Sequence, residues 1–411
     1  MKAPLFLVSL VVAPWLVAAE PPAAPIPPEV QTLLDEAARR GPGEIVLDRK
    51  DPLAAAWHLA RQISGDPDAA CWQQFRCVQA MAEAGKTHEA AAKAQEIADY
   101  RSALGSLNCA EACLDARDEK RALELVRRAE QGMDSFKPWQ QQVLQVRMAA
   151  IGAQAGWDDA RVDECLRDLE FEGDRFGARM LVQVRRMLRN NAYDLAALRK
   201  CLEERPQKKA PVPELVEAAQ LLLRLAPPPS EKAGDGLLSG LMTGFDELLR
   251  QSESHSGQAW LKRAAFWHAR GDKDQATAAL TRAQQQTGWH LDGAGEMYHQ
   301  MALLWDLRGS KDAVRPFFEA LEAKARALLP MYRPAALAWL GACCHVLGEE
   351  ARHDVLMNEA LQEAAANENP RMRLIGCVEI CLCHARTGRP LSEELVTGLR
   401  SVLVGSPVAA R

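Results

Sequence analysis

Two groups of thiols and imidazoles near the C-terminus are the first residues whose types could do chemistry. Cys343, Cys344 and His345 are consecutive, and Cys377, Cys381, Cys383 and His384 follow about one structural unit later. Cys377 and Cys381 are four apart and so share one face of a helix. Thiolates and imidazoles brought side by side could hold a metal ion. They could also pair as disulfides, or fill packing positions, since a thiol behaves as a small buried hydrophobe. There is no C-x-x-C pair and no C-x-x-C-H haem attachment sequence. That irregular spacing favours packing over a disulfide and a disulfide over a metal, and no cofactor is expected. Cys109 and Cys113 read the same way, with a Cys77–Cys109 bridge open if the two backbones come within reach. The chain has 11 cysteines, an odd number that cannot pair completely within one molecule.

Catalytic signatures are missing. The sequence contains no G-x-S-x-G, no H-E-x-x-H, no G-x-G-x-x-G and no phosphate loop. Gly85-Lys86-Thr87 resembles the end of a phosphate loop, but Ala80 stands where its leading glycine belongs. Gly288-Trp289-His290-Leu291-Asp292-Gly293 reads as turn chemistry, or alternatively as an exposed Trp-His recognition loop. The chain is therefore not expected to be an enzyme. The alternatives kept beside that reading are an enzyme or metal-binding protein using the C-terminal Cys/His helices, and a self-assembling structural component.

Arg175, Arg179, Arg185, Arg186, Arg189, Arg199, Lys200, Arg205, Lys208 and Lys209 cluster in sequence, interleaved with acidic residues. Such mixing predicts a solvated, ion-paired surface rather than a patch for an anionic partner. The formal net charge of -5 gives no basic excess for nucleic acid.

These residues must be positioned by helices. Ala, Leu, Arg, Glu and Gln are abundant and β-branched runs are scarce, so the chain should be all-α. Asp51-Pro52 and Asp66-Pro67 each read as a helix start, with a capping carboxylate before a proline at the first helical position. At 411 residues the chain is long for one compact core, so growth by repetition is the natural solution. Gly85, Arg117, Gly156, Asn191, Gly271, Gly309, Gly348 and Gly388 recur at separations of 32 to 40 residues, apart from one gap of 80. Each follows an Ala-rich apolar segment and precedes a second one, as a helical hairpin turn should.

The clearest unit carries Trp260, Ala264, Trp267, Gly271, Ala276, Leu280 and Ala283. Tyr298, Met301, Ala302, Trp305, Gly309 and Phe318 follow the same order. So do Leu337, Leu340, Gly341, Cys344, Gly348, Met357 and Ala360, and earlier Cys109, Ala110, Cys113, Ala122, Val126 and Ala129. The pattern resembles tetratricopeptide (TPR) repeats over roughly residues 67–404, with Arg263 where the family prefers Leu and with several longer units. The resemblance implies a right-handed superhelical solenoid of TPR-like hairpins that binds protein or peptide in a concave groove. In that class the residue after the second aromatic position faces the groove, which implicates His268, Asp306 and His345. Gln258 and His299 fall on other groove-facing positions by the same analogy.

The expected organisation is a signal peptide over 1–19, a Pro-rich spacer over 20–28, N-terminal helices and repeats over 29–205, a Pro-rich interrupted hairpin or linker over 206–236, C-terminal repeats over 237–404, and a tail over 405–411. Lys2, an apolar run to Ala19 and the small residues Val17-Ala18-Ala19 have the layout of a secretory signal. The mature chain is then expected outside the cytoplasm, secreted or periplasmic, without stable membrane insertion. On the last helix Leu395, Val396, Leu399, Val402 and Leu403 have no later repeat to cover them. Some must pack backwards and the remainder could be exposed.

Overall fold

The computed structural model describes residues 47–169, 172–192, 257–269, 271–289 and 293–403, with isolated positions between 194 and 221. The signal, the spacer, the tail, most of the 206–236 stretch and the amphipathic segment 237–249 lie outside the described residues. Contacts divide the chain into two units, Met1–Ile45 and Val46–Arg411, and every described residue belongs to the second.

The described part is all-helical, with no strand among the described residues. The first eight helices are α1 (Pro52–Arg61), α2 (Pro67–Glu83), α3 (Thr87–Ala94), α4 (Arg101–Asp115), α5 (Glu119–Glu130), α6 (Pro138–Ala155), α7 (Asp159–Leu166) and α8 (Glu172–Asn190). After the undescribed stretch come α9 (Gly257–Ala269), α10 (Lys273–Gln286), α11 (Ala294–Leu307), α12 (Lys311–Arg326), α13 (Arg333–Val346), α14 (Glu350–Ala366), α15 (Pro370–Thr387) and α16 (Glu393–Leu403).

Local chemistry explains the starts and stops. Asp51 and Asp66 cap α1 and α2 by accepting hydrogen bonds from Ala54 and Ala69, each followed by Pro in the first turn. Asp118, Asp158 and Asp272 cap α5, α7 and α10 in the same manner. This satisfies amide donors that a helix cannot satisfy itself. All eight hairpin-turn positions picked out by their period have positive φ, including the two that are not glycine, Arg117 at 62° and Asn191 at 46°. A left-handed residue there lets the chain leave one helix and reverse into the next.

Successive helices pair as hairpins: α2 with α3, α4 with α5, α6 with α7, α9 with α10, α13 with α14. The first helices also stack on each other. α2 packs on α4, α4 on α6 and α6 on α8, while α9 packs on α11, α11 on α13 and α13 on α15. Small residues permit the close approach. Ala264, Ala276, Ala302, Ala342 and Ala360 are fully buried. At Gly295 a methyl group would lie 2.3 Å from the Trp339 ring, so only glycine lets α11 meet α13 at that point.

The last hairpin does not end the array. α15 packs on α1 and α2, the first described helices. Leu391 N–H donates to the Arg49 carbonyl (2.9 Å), and Arg49 Nε donates back to the Leu391 carbonyl (3.1 Å). Leu395, Val396 and Leu399 are buried, whereas Val402 and Leu403 are half-buried. The open terminal face that a free-ended solenoid implies is therefore largely covered.

Ten of the cysteines are buried and Cys201 is half-buried; no disulfide joins any of them. Among the described residues no group of three or more His, Cys, Asp and Glu is placed to hold a metal ion. No described helix is long and apolar enough to cross a membrane. Trp289 packs edge-on against Tyr298 at 4.6 Å and donates to the Leu321 carbonyl (3.4 Å). It is a joint between units rather than an exposed recognition side chain; His290 lies outside the described residues.

Candidate binding face

A cavity of about 900 Å³ opens on the stacked first helices α2, α4, α6 and α8. Glu111, Arg147 and Glu217 line its charged floor, and the buried Arg185 ties Glu111 to Glu217 from beneath. Glu111 on α4 accepts from Arg147 on α6 (2.7 Å) and from Arg185 on α8 (2.7 Å). Arg185 also donates to Glu217 (2.9 Å) and to Gln154 (3.0 Å). The positions 111, 147, 185 and 217 repeat the hairpin period, so equivalent turns of neighbouring helices build a continuous ladder. Arg185 is buried, which corrects its assignment to a solvated basic surface. Arg186 does keep that character, pairing with the exposed Asp159. Burial alone would raise the pKa of Glu111, but the Arg147 and Arg185 guanidiniums outweigh it and hold the carboxyl below its usual range.

An aromatic row continues the cavity toward the N-terminal ends of these helices. Trp72 on α2 is 42% exposed and Trp139 on α6 is 53% exposed. Tyr100, at the start of α4, meets Trp139 edge-on at 5.4 Å. The Arg101 guanidinium lies 5.7 Å from the Trp72 ring and 5.3 Å from the Tyr100 ring, bridging the two. Asp68 (2.8 Å) and Asp99 hold it there. Phe75, 5.8 Å from Trp72, and Val143, one turn beyond Trp139, both line the cavity. One face therefore runs from exposed indoles to a paired charge ladder. That combination of aromatic anchors and fixed donors and acceptors suits a polypeptide segment with apolar and polar side chains.

The five groove positions inferred from sequence lie elsewhere, and none lines this cavity. Gln258 is exposed at the start of α9 and His268 is half-buried near its end. His299 on α11 is buried, with its ring 5.8 Å from Trp339. Burial pushes its pKa down to about 4, so it stays neutral near pH 7. Asp306 pairs with Lys311 (2.7 Å) at the turn of its own hairpin. His345 contacts Glu350 (2.8 Å) and lies 5.7 Å from the His353 ring. His353 in turn lies 5.4 Å from His384. His345 thus begins a row of three imidazoles across α13, α14 and α15.

A second polar hub had no reading in the sequence. Glu379, the lone carboxylate in the apolar run of α15, is buried. It accepts from Trp339 Nε1 (2.8 Å), from Gln73 (3.4 Å) and from Arg76, which also reaches Glu296 (2.9 Å). The only available signal was one acidic residue where the helix pattern demands an apolar one, and nothing in that pattern names a partner 303 residues away. Compared with known proteins, the chain matches no family model, and no curated protein matches it either.

Proposed function

We propose that the protein is a non-enzymatic binding scaffold, exported after cleavage near Ala19, that grips an extended segment of a partner protein along the α2–α4–α6–α8 face. In this reading its hairpins are TPR-like and form a right-handed superhelical array. The observation that carries the proposal is the one-residue-per-unit ladder Glu111, Arg147 and Arg185, continued by the exposed Trp72 and Trp139. Repeat arrays use such surfaces to contact long segments, and exposed Trp is a common binding anchor. The His268, Asp306 and His345 row is a second candidate groove, implied by the family resemblance alone.

A photo-activated cross-linker at Val143 tests this, with one at Leu329, exposed on the segment between α12 and α13, as the control position. The reading expects a discrete adduct from Val143 only, lost in a Trp139→Ala/Arg147→Ala variant with unchanged helicity. An adduct that survives that variant but disappears in His268→Ala/Asp306→Ala/His345→Ala moves the groove to the second row. Equal labelling from both positions sinks the proposal.

A further inference from the structure

The aromatic row beside the cavity has a period of its own. Tyr100 and Trp139 each stand 17 residues before the turn residue of their unit, Arg117 and Gly156, so they hold equivalent places on neighbouring hairpins. Trp72, Leu104 and Val143 make a second row, each 13 residues before Gly85, Arg117 and Gly156. The helices that carry both rows, α2, α4 and α6, pack side by side in that order. Every member of the two rows is at least partly open to solvent. An apolar contact is therefore offered once per helix, at the roughly 8–10 Å spacing of packed helices.

The polar groups around these rows narrow what could lie on them. Arg101 is already taken up by Asp68 and Asp99, so it is not left to fix an anionic ligand. No strand among the described residues offers an edge for strand pairing. The indole N–H groups of Trp72 and Trp139 donate to no other described residue and face outward. A polyproline II segment has three residues per turn and rises about 3.1 Å per residue, so it presents the same side chain position every ~9 Å. A β-strand repeats a face every ~7 Å, and an α-helix every ~5 or ~11 Å, counted over one turn or two. Only the first matches one contact per packed helix. Polyproline II also makes no internal hydrogen bonds, which leaves its carbonyls open to the indole donors. Because it is preformed, seating it on a shallow surface costs little ordering entropy.

We propose that the segment gripped on this face is proline-rich and in the polyproline II conformation, with one proline per hairpin seated between the Tyr100–Trp139 row and the Trp72–Leu104–Val143 row. This rests on the reading of the face as the binding surface and adds the chemistry of what it binds.

The test titrates the full chain with a ten-residue peptide carrying proline at positions 1, 4, 7 and 10 and alanine or glutamine between. In polyproline II form it spans about 28 Å, enough to cross three packed helices. The indole N–H resonances of Trp72 and Trp139 should shift saturably, while that of Trp289, held in its joint by Tyr298 and Leu321, stays in place. Trp139→Ala, at an exposed position, should keep its helicity and weaken binding at least tenfold. Replacing the two central prolines of the peptide with alanine should do the same. No saturable shift, equal binding of the alanine peptide, or undiminished binding to Trp139→Ala overturns the assignment. The Val143 cross-link separates this from the broader reading. An adduct whose partner segment lacks proline at every third residue strikes the polyproline II assignment and leaves the binding scaffold standing. A silent peptide together with no specific adduct at Val143 removes both.

Discussion

Arg76 is 11% exposed and depends on Glu379 and Glu296 for its charge. Removing Glu379 leaves a buried guanidinium short of its main partner and strands the Trp339 N–H. Glu379→Ala should therefore cost about 3–5 kcal/mol in urea unfolding, as breaking a buried pair does. Glu379→Gln keeps an acceptor for Trp339 and should cost less. If the two variants are equally stable, the charge is not what matters. Gly295→Ala probes steric fit rather than charge. With a methyl 2.3 Å from the Trp339 ring, the overpacking should cost about 1–3 kcal/mol. The thiols give a third residue-level expectation. Burial raises Cys77, Cys109, Cys344 and Cys377 to about 12, so native protein should resist alkylation at these positions and label first at the half-buried Cys201. Rapid native labelling of Cys377 would contradict that packing.

At the scale of elements, the helices α11, α14 and α15 each bury a neutral imidazole. Burial lowers His299 and His384 to about 4 and lowers His353 as well. Their unfolded value is near 6.5, so the unfolded chain takes up protons first as pH falls. The stability that depends on neutral imidazoles is complete above about pH 6.5 and is lost progressively toward pH 4. Each of the two largest shifts is worth on the order of 3 kcal/mol. Tm measured from pH 7 to pH 4 should drop steeply, and His299→Gln should flatten part of that drop. An unchanged Tm across the interval would exclude the buried-imidazole account. The hairpin elements themselves were legible in the sequence, because a turn declares itself locally. Gly85 and Gly388 could be read from their neighbours, and even Arg117 from its place in the period. The binding face was less legible. Arg185 looks like any surface arginine until α4 and the residues near Glu217 close over it. His268, Asp306 and His345 share a register in their hairpins, but a register does not determine which face lines a cavity.

At the scale of the whole described unit, the first and last helices are joined by contacts spanning some three hundred residues. These are Arg49 with Glu393 (2.5 Å), Arg371 with Asp66 (2.5 Å), Arg386 with Glu83, and Arg76 with Glu379. Period and composition cannot reveal such pairs, since nothing in the local sequence of either member names the other. Several are partly exposed and open to screening, since the Debye length falls to roughly 3 Å at 1 M salt. Raising sodium chloride should therefore loosen this junction before it loosens individual hairpins. Hydrogen exchange in α1 and α15 should accelerate with salt while α4 and α13 hold. Uniform exchange at all salt concentrations would argue that apolar contacts alone secure the junction.

The pair of hydrogen bonds between Arg49 and Leu391, one backbone to backbone and one from the Arg49 guanidinium, also bears on how the molecule comes apart. In a linear array with free ends, thermal fluctuation peels units from the outside inward, because a terminal unit has one neighbour instead of two. Here the outermost helices are each other's missing neighbour. A terminal hairpin can then leave only by breaking two interfaces at once, the one with its sequence neighbour and the one across the junction. The molecule's melting should accordingly be sharper than the number of hairpins alone would suggest.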